Sequence, residues 1–349
     1  MNGPYSAYTI KHPVGVCGQI IPWNYPTLMA VFKLAPVLAT GCTSVLKPAE
    51  NTPLSALKLA QIMMECGLPD GVVNVVPGYG HDAGSALVNH PLVDKIAFTG
   101  SEFVGKKIMR DAAETMKRVT LELGGKSPNI IMDDANLEQA IIETHNGCFV
   151  NSGQFCMAST RVYVHDDIYD MFVEGSIAMA KSRKVGGPYE DKVQNGPVVS
   201  QVQLDRVLKY IDIGKKEGAT VACGGVRIDR EGYFIEPTIF INVTDDMTIA
   251  KEEIFGPVMC ILRFKFLNEV LKRANASSYG LAGGAMTTGL QNAQKITKGL
   301  QSGIVFVNCW GAMQPTTPFG GMKQSGYGRE LGGDSLHEYL ETKTIITKI

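Results

Sequence analysis

Residues 95–123 read KIAFTGSEFVGKKIMRDAAETMKRVTLEL, and this stretch decides the fold. "KIAF" (95–98) and "VTLEL" (119–123) are short apolar runs suited to buried strands. "SEFVGKKIMRDAA" between them has helical spacing, with Ser101 as its cap. Strand, helix and strand at this spacing form a unit whose two strands lie parallel. The same rhythm extends upstream. "TSVLKP" is a buried strand; Thr52 caps a helix with Pro53 at its first position, and Gly67 ends it. "VVNVV" (72–76) is a further strand, and a Gly-rich turn leads into a helix over about 82–89. The pattern predicts an α/β fold with a doubly wound parallel sheet.

A second α/β run follows residue 126 or so: "SPNIIM", a helix through 136–150, the strand "RVYV", and helices over roughly 167–182 and 200–217. "GGPYEDKVQNGP" between those two helices reads as a surface loop. A domain boundary is expected near Gly124-Gly125. The terminal stretches "YSAYTIKH" and "EYLETKTIITKI" alternate like exposed strands and have no obvious partner within a doubly wound core. Strands of that kind are expected to pair with another subunit.

Composition narrows the class. The chain has 349 residues, 45% hydrophobic and 19% charged, which describes a globular protein of two or three domains and not a disordered one. Thirty-three basic and 34 acidic residues, without long runs of either sign, give no nucleic-acid footprint. The most apolar window, "TLMAVFKLAPVLATG", holds Lys33 and Pro36, so it reads as a buried helix and not a membrane span. The eight cysteines lack C-x-x-C spacing and the six histidines are scattered, so neither a metal site nor a disulfide framework is expected. The N-terminus has no signal-peptide pattern.

In doubly wound sheets ligands bind outside the carboxyl ends of the strands. That rule directs attention to "KPAEN", "PGYGHDAG", "FTGSEFVG" and "ELGGK". "GYGHDAG" approaches a dinucleotide fingerprint at Gly78, Gly80 and Gly84, but the last spacing is wrong, and such a turn is often purely structural. "FTGSEFVG" opens a helix after a strand, where free N–H groups favour a pyrophosphate. Lys47 and Glu50 follow a strand end; a carboxylate there can accept from both ribose hydroxyls, although two solvated loop charges would look the same. Glu122 ends an apolar strand before two glycines, so it is either paired with a cation or kept as a general base of raised pKa. Asn24 in "IIPWNYP" is either a helix cap or an amide donor to an oxyanion. Cys156 in "NSGQFCMAST" is either a core thiol or a nucleophile.

Together these stretches resemble one family. "PWNYP", "KPAENTPL", "FTGSEFVG", "LELGGKSPNII", "GQFC", "KEEIFGPV" and "PFGGMKQSGYGRELG" stand in the order and spacing of the NAD-dependent aldehyde dehydrogenases, from about residue 5 to residue 349. Glu122 and Cys156 are 34 residues apart, as the family's base and nucleophile are. The resemblance, nearest to the broad-specificity hydrolytic branch, implies the aldehyde dehydrogenase fold with β oligomerisation strands. It implies an oligomerisation strand over 1–13, an NAD-binding domain over 14–124, a catalytic domain over 125–336 and a second oligomerisation strand over 337–349. It also implies a homo-oligomer. The expected compartment is the cytoplasm, with a mitochondrial location left open.

The resemblance further implies the chemistry. Cys156 adds to an aldehyde, Asn24 and the Cys156 N–H hold the oxyanion, and Glu122 activates water to hydrolyse the thioester. Family members that pass the acyl group to coenzyme A lack a carboxylate where Glu122 stands. NAD would contact Ile20, Ile21, Pro22, Trp23, Lys47, Glu50, Gly80, Gly84, Phe98, Gly100, Ser101, Val104, Gly105, Leu123, Glu253 and Phe255. Tyr25, Met29, Phe32, Phe155, Met157, Trp310 and Phe319 would line the path of an apolar aldehyde; on the bare sequence they are core residues. The family's chains are longer at the N-terminus, so the resemblance is to a shortened member. The alternative to a dehydrogenase is a catalytically impaired relative with a structural or binding role.

Overall fold

The computed structural model describes residues 3–349. The strands, in chain order, begin with β1 (Tyr5–Pro13), β2 (Val16–Ile20), β3 (Thr43–Lys47), β4 (Val73–Val75), β5 (Lys95–Thr99) and β6 (Arg118–Glu122). They continue with β7 (Pro128–Ile131), β8 (Arg161–His165), β9 (Thr220–Cys223), β10 (Thr238–Ile241), β11 (Val258–Phe264), β12 (Ala282–Met286) and β13 (Ile304–Val307). β14 (Gly326–Tyr327) and β15 (Leu340–Lys348) close the chain. Contacts divide it into two compact units: residues 3–122 with 314–320 and 327–349, and residues 123–313 with 321–326. The sequence reading runs one domain through 125–336; by contacts, 314–320 and 327–336 return to the first unit.

The first unit carries a six-stranded sheet in the order β14-β6-β5-β2-β3-β4. β2 runs parallel to both β3 and β5, and β5 parallel to β6, so the doubly wound expectation holds. β5 is buried along its whole length, which accounts for its apolar centre, Ile96 to Phe98. The helix Glu102–Ala112 starts where Ser101 Oγ accepts the Val104 N–H at 3.4 Å, as expected. The helix Leu54–Glu65 ends as expected, with Gly67 at φ +85°. Its start differs: Pro53 occupies the cap position, no side chain caps it, and Thr52 Oγ1 has no hydrogen-bond partner among the described residues. Proline pre-sets the first turn without needing a donor, so the threonine is not required.

"PTLMAVFKLAPVLAT" forms the helix Pro26–Thr40, closed by Gly41 at φ +78°. It is amphipathic instead of buried all round: Leu28 and Val31 face solvent while Ala30, Phe32, Leu34 and Val37 are buried. Among the described residues, no helix is long and apolar enough to cross a membrane.

The second unit has a seven-stranded sheet, β13-β12-β7-β8-β11-β10-β9, parallel except for the β9–β10 pair. The helices Leu137–Phe149 and Gln201–Lys216 are capped by Asn136 and Ser200 side chains. One hydrophobic cluster joins Val207, Ile211, Phe240, Val258 and Leu262; another joins Phe149, Val162, Phe172 and Met259. Buried at both sheet faces, these strands tolerate few polar residues, and their helices are held in place mainly by apolar burial.

The terminal strands pair with each other. β1 and β15 run antiparallel from Tyr5↔Lys348 to Pro13↔Leu340 as a separate two-stranded sheet, so neither joins a doubly wound sheet, and each finds within this chain a partner that the sequence reading did not see. Partners more than 300 residues apart leave no trace in local periodicity, so the long-range pairing was not legible. Nearly every residue of both strands is exposed or half-exposed, which accounts for their alternation without a core.

Candidate active site

Glu122 is the last residue of β6 and is buried. Its carboxyl is pushed well above the ordinary carboxylate range, first by burial and then by Glu330, with Lys33 and Arg329 acting the other way. Glu122 Oε2 has no hydrogen-bond partner among the described residues. Its surroundings leave little room: a Cβ at Gly320 would lie 2.8 Å from Glu122 Oε1. The two readings of Glu122 thus meet in one place, since a cation is near but belongs to another acid. Lys33 Nζ pairs with Glu330 and donates to Thr99 Oγ1 at 2.7 Å, with both charged side chains almost wholly buried. Phe319 and Glu330 exchange backbone hydrogen bonds of 2.6 and 2.7 Å, which fixes that acid. The sequence reading did not single out Lys33 or Glu330. Lys33 offered one signal, a lone cation in an apolar helical window.

Asn24, half-buried, precedes the helix Pro26–Thr40, whose cap position is taken by Tyr25 with no side-chain cap. Lys47, at the end of β3, is buried; its Nζ donates to the carbonyls of Pro48 and Gly78 at 2.8 Å each and lies 3.6 Å from Glu50 Oε2. Lys47 is thus not a solvated loop charge, whereas Glu50 is about half exposed. Gly80–Gly84 is a single π-helical turn and Ser85–Asn89 the helix proper. A Cβ at Gly84 would sit 3.6 Å from the Lys47 stem, an ordinary contact that places the turn beside the lysine. Ile20 and Ile21 are buried, and Ile21 N–H bonds the Lys47 carbonyl at 3.1 Å. Pro22 and Trp23 are half-buried. Phe98 lies under Gly100, where a Cβ would strike its ring; Ser101 and Val104 are exposed at the helix start, and Gly105 is buried.

Groups suited to a dinucleotide are therefore gathered at one end of this sheet: a buried lysine beside an exposed carboxylate, and an exposed helix N-terminus after β5. That donor set fits an adenosine ribose and pyrophosphate.

In the second unit, Cys156 is half-buried, whereas Cys17, Cys42, Cys148 and Cys260 are buried. Burial pushes the Cys17 and Cys148 thiols far up and Cys260 to about 11, so those three are inert core groups. The turn before Cys156 is backbone-strained: Asn151, Ser152 and Gly153 have φ of 52°, 55° and 72°. It is tied down by a strap, residues 195–199. Ser152 Oγ donates to the Gly196 carbonyl at 2.7 Å, Gln154 Oε1 accepts the Val199 N–H at 2.8 Å, and Asn195 Nδ2 donates to the Phe149 carbonyl at 2.5 Å. A Cβ at Gly153 would overlap the carbonyl of Gly256, so the cysteine turn and the 253–256 loop are in backbone contact. Glu253 Oε1 in that loop accepts the Gly125 N–H at 2.9 Å, and Phe255 has φ 62°. Leu123, also in this unit, bonds the Ser325 carbonyl at 2.9 Å.

The expected substrate residues divide between the units. Tyr25, Met29, Phe32 and Phe319 belong to the first; Phe155, Met157 and Trp310 belong to the second. Phe32, Met157, Trp310 and Phe319 are buried, and Met29 packs against the cluster of Ile21, Leu34 and Leu46. Trp310 lies tilted against Phe306, 5.3 Å between centroids, over Gly147 and Gly284, where a Cβ would meet its ring. Asp133, His165 and Asp167 also bring ligand-type atoms within 4.8 Å of one another, but both His165 ring nitrogens are already engaged, with the Lys265 carbonyl and the Asp167 N–H.

Residues 2–345 match the family described as "Aldehyde dehydrogenase family". The chain is 53% identical over 350 residues to the mitochondrial aldehyde dehydrogenase of Homo sapiens, covering 100% of this chain and 68% of that protein. It is 53% identical over 345 residues to the putative aldehyde dehydrogenase DhaS of Bacillus subtilis (strain 168), covering 99% and 70%. The aldehyde dehydrogenase of Bacillus cereus, solved as an NAD+ complex, superposes with a TM-score of 0.99 at 52% identity, covering 100% of this chain and 71% of that one. The chain belongs to the aldehyde dehydrogenase family. It is an oxidoreductase of the aldehyde group.

Proposed function

We propose that this chain oxidises an aldehyde to the carboxylic acid with NAD+, and releases the acid by hydrolysis of a thioester on Cys156. The observation that carries the reading is Glu122: a buried carboxyl, raised well above its ordinary range by burial and by Glu330, in a chain of this family. A carboxyl of raised pKa is a stronger base when ionised and matches the task of taking a proton from water near neutral pH. NAD+ is also what the similar Bacillus cereus and Staphylococcus aureus enzymes hold in their solved complexes. When bound, it supplies the hydride acceptor.

The chain's own residues do the rest. The Cys156 thiolate adds to the aldehyde carbon, and the oxyanion so formed takes hydrogen bonds from the Asn24 amide and the Cys156 N–H. Once the substrate carbon has lost its hydride, the thioester remains on Cys156. Glu122 accepts a proton from water, the hydroxide attacks the thioester carbon, and the carboxylic acid leaves as the thiolate is restored. Lys47 and Glu50 hold the adenosine ribose; the Glu50 carboxylate suits two free hydroxyls and repels a 2′-phosphate, which favours NAD over NADP. The N-terminus of the helix Glu102–Ala112, with Ser101, holds the pyrophosphate. Glu253 and Phe255 receive the nicotinamide ribose. The aromatic and thioether residues suit an apolar aldehyde, and the β1–β15 ribbon supports assembly of a homo-oligomer.

The test is NADH absorbance with NAD+ and a short aliphatic aldehyde, beside Cys156→Ser. Turnover that falls at least about 10^4-fold in the variant, with unchanged thermal unfolding, is the expected result. Equal rates in both proteins would overturn the assignment of the nucleophile.

A further inference from the structure

The strap 195–199 that ties down the cysteine turn is itself held by residues 183–186. Arg183, just past the helix Tyr169–Ser182, donates from Nη1 to Asn195 Oδ1 at 3.3 Å. Val185 pairs with Asn195 as a parallel bridge, and the Gly186 N–H donates to the Asn195 carbonyl at 3.0 Å. Arg183 also lines a cavity of about 260 Å³, together with Lys181, Val185, Cys223, Ile228 and Glu236. All of these residues belong to the second unit.

The charges around this cavity do not cancel. Lys181 and Arg183 bring two cations, and Glu236 brings one carboxylate. Among the described residues, neither cation has a carboxylate within 4.0 Å. Lys181 is exposed to water and stands in the last turn of its helix, where it offsets the carbonyl end. Arg183 is placed differently. It is half-buried, its Nε is buried without a hydrogen-bond partner, and its guanidinium lies 5.5 Å from the centroid of the Phe149 ring. Burial works against its charge, and no carboxylate is among the groups that oppose that effect. A guanidinium kept from water without a counter-ion is costly, and a carboxylate can accept two of its N–H groups at once. Val185 and Ile228 supply apolar wall for a short hydrocarbon chain. The volume equals about nine waters at ~30 Å³ each and falls below the ~300 Å³ at which pockets for larger ligands begin, so a nucleotide does not fit. Glu236 repels an anion from its own side, so a ligand's charge belongs beside Arg183 and Lys181.

We propose that this cavity binds a small aliphatic carboxylate, and that its occupant acts on the Cys156 turn through Arg183 and Asn195. A carboxylate that draws Arg183 from the Asn195 oxygen loosens a residue whose Nδ2 also donates to the Phe149 carbonyl at 2.5 Å, just before the strained turn. The carboxylate site is independent of the mechanism proposed above; only its effect on turnover rests on Cys156 being the nucleophile.

The experiment alkylates the full chain with iodoacetamide and follows each cysteine by peptide mass spectrometry, with butanoate, butylammonium or butanol present at equal ionic strength. Cys223 reports on the cavity, and the exposed Cys66 is the reference. Butanoate alone is expected to shield Cys223, with half-protection at about 1–10 mM, as suits so small a ligand. Arg183→Met and Lys181→Glu should each raise that concentration about tenfold. Lys181 is exposed, so its variant decides if Arg183→Met fails to fold. No shielding by butanoate at about 100 mM, or shielding as strong in Lys181→Glu as in the wild type, overturns the site. Equal or stronger shielding by butylammonium also overturns it, because Glu236 would then govern the cavity. Cys156 reads the coupling: its alkylation should slow about threefold as Cys223 becomes shielded. An unchanged Cys156 rate overturns the coupling. Slowing that persists in full in Lys181→Glu overturns it as well, since butanoate would then act at Cys156 directly.

Discussion

Glu122 in the first unit and Cys156 in the second are held by different physics. Around Glu122 the structure buries charge: three ionisable groups, Glu122, Glu330 and Lys33, lie where water is excluded, and one cation is set against two acids. Around Cys156 it strains backbone: three consecutive left-handed residues are fixed by neutral hydrogen bonds to the 195–199 strap and by glycine contact with the 253–256 loop. An electrostatic site tunes a pKa but answers to pH and to every charge nearby. A site built from backbone geometry sets direction and distance, and answers to volume. The two devices suit the roles proposed here: a base, whose proton affinity matters, and a nucleophile, whose placement matters.

The largest effect that sharpens this contrast is expected at Glu122, the proposed base. Glu122→Gln should lower steady-state turnover by about 10^2 to 10^4 while leaving a pre-steady-state burst of NADH. In the wild type, turnover should climb as pH rises through the raised Glu122 pKa, because the base acts only when ionised; the variant should lose that limb. A variant that keeps both its rate and its pH limb would break the assignment.

Lys33→Met comes next. It strands Glu330 beside Glu122 in a buried place, at an expected cost of about 3–5 kcal/mol of unfolding free energy by urea titration. The surviving activity should need a higher pH, since Lys33 is one of the charges that lower the Glu122 pKa. Adding Glu330→Gln should recover most of the stability; a double variant no better than the single one would mean that the pair is not the coupled unit described.

The cysteine turn should respond to volume alone. Gly153→Ala places a Cβ against the Gly256 carbonyl at φ +72° and should cost about 2–3 kcal/mol. Gly196→Ala, in the same strap region but with open space, should be nearly silent. Equal unfolding midpoints for the two alanine variants would contradict the packing account.

The smallest expected effect lies away from both. Burial lowers the Lys95 ammonium to about 8, with Glu338 opposing. A lysine depressed in the folded state holds fewer protons there than when unfolded, so between pH about 8 and its ordinary 10.5 stability should rise with pH. Lys95→Met should remove that part of the rise and should not destabilise the protein at pH 7; chemical unfolding at pH 7 and 9.5 reads both.

Much of the fold was legible because its signals are local. β5, β6 and the helix capped by Ser101 follow from apolar runs and one capping serine, and the parallel sheet follows from their alternation. Thr52 misled because a good cap residue beside a proline is redundant, and β1 misled because its partner lies more than 300 residues away. In the site, Cys156, Glu122 and Lys47 were singled out by their place at strand ends and turns. Lys33 and Glu330 were not, since a lone lysine in an apolar helix looks like a residue that reaches for water.

The sequence by itself determined that this is a doubly wound α/β chain carrying the aldehyde dehydrogenase motifs, because short-range periodicity and motif order survive without coordinates. Only the tertiary structure decided which charges are buried together, that the termini pair, and that a strap at 195–199 ties down the cysteine turn. Those facts depend on burial and on contacts between residues distant along the chain, and neither quantity is a property of any short stretch of sequence.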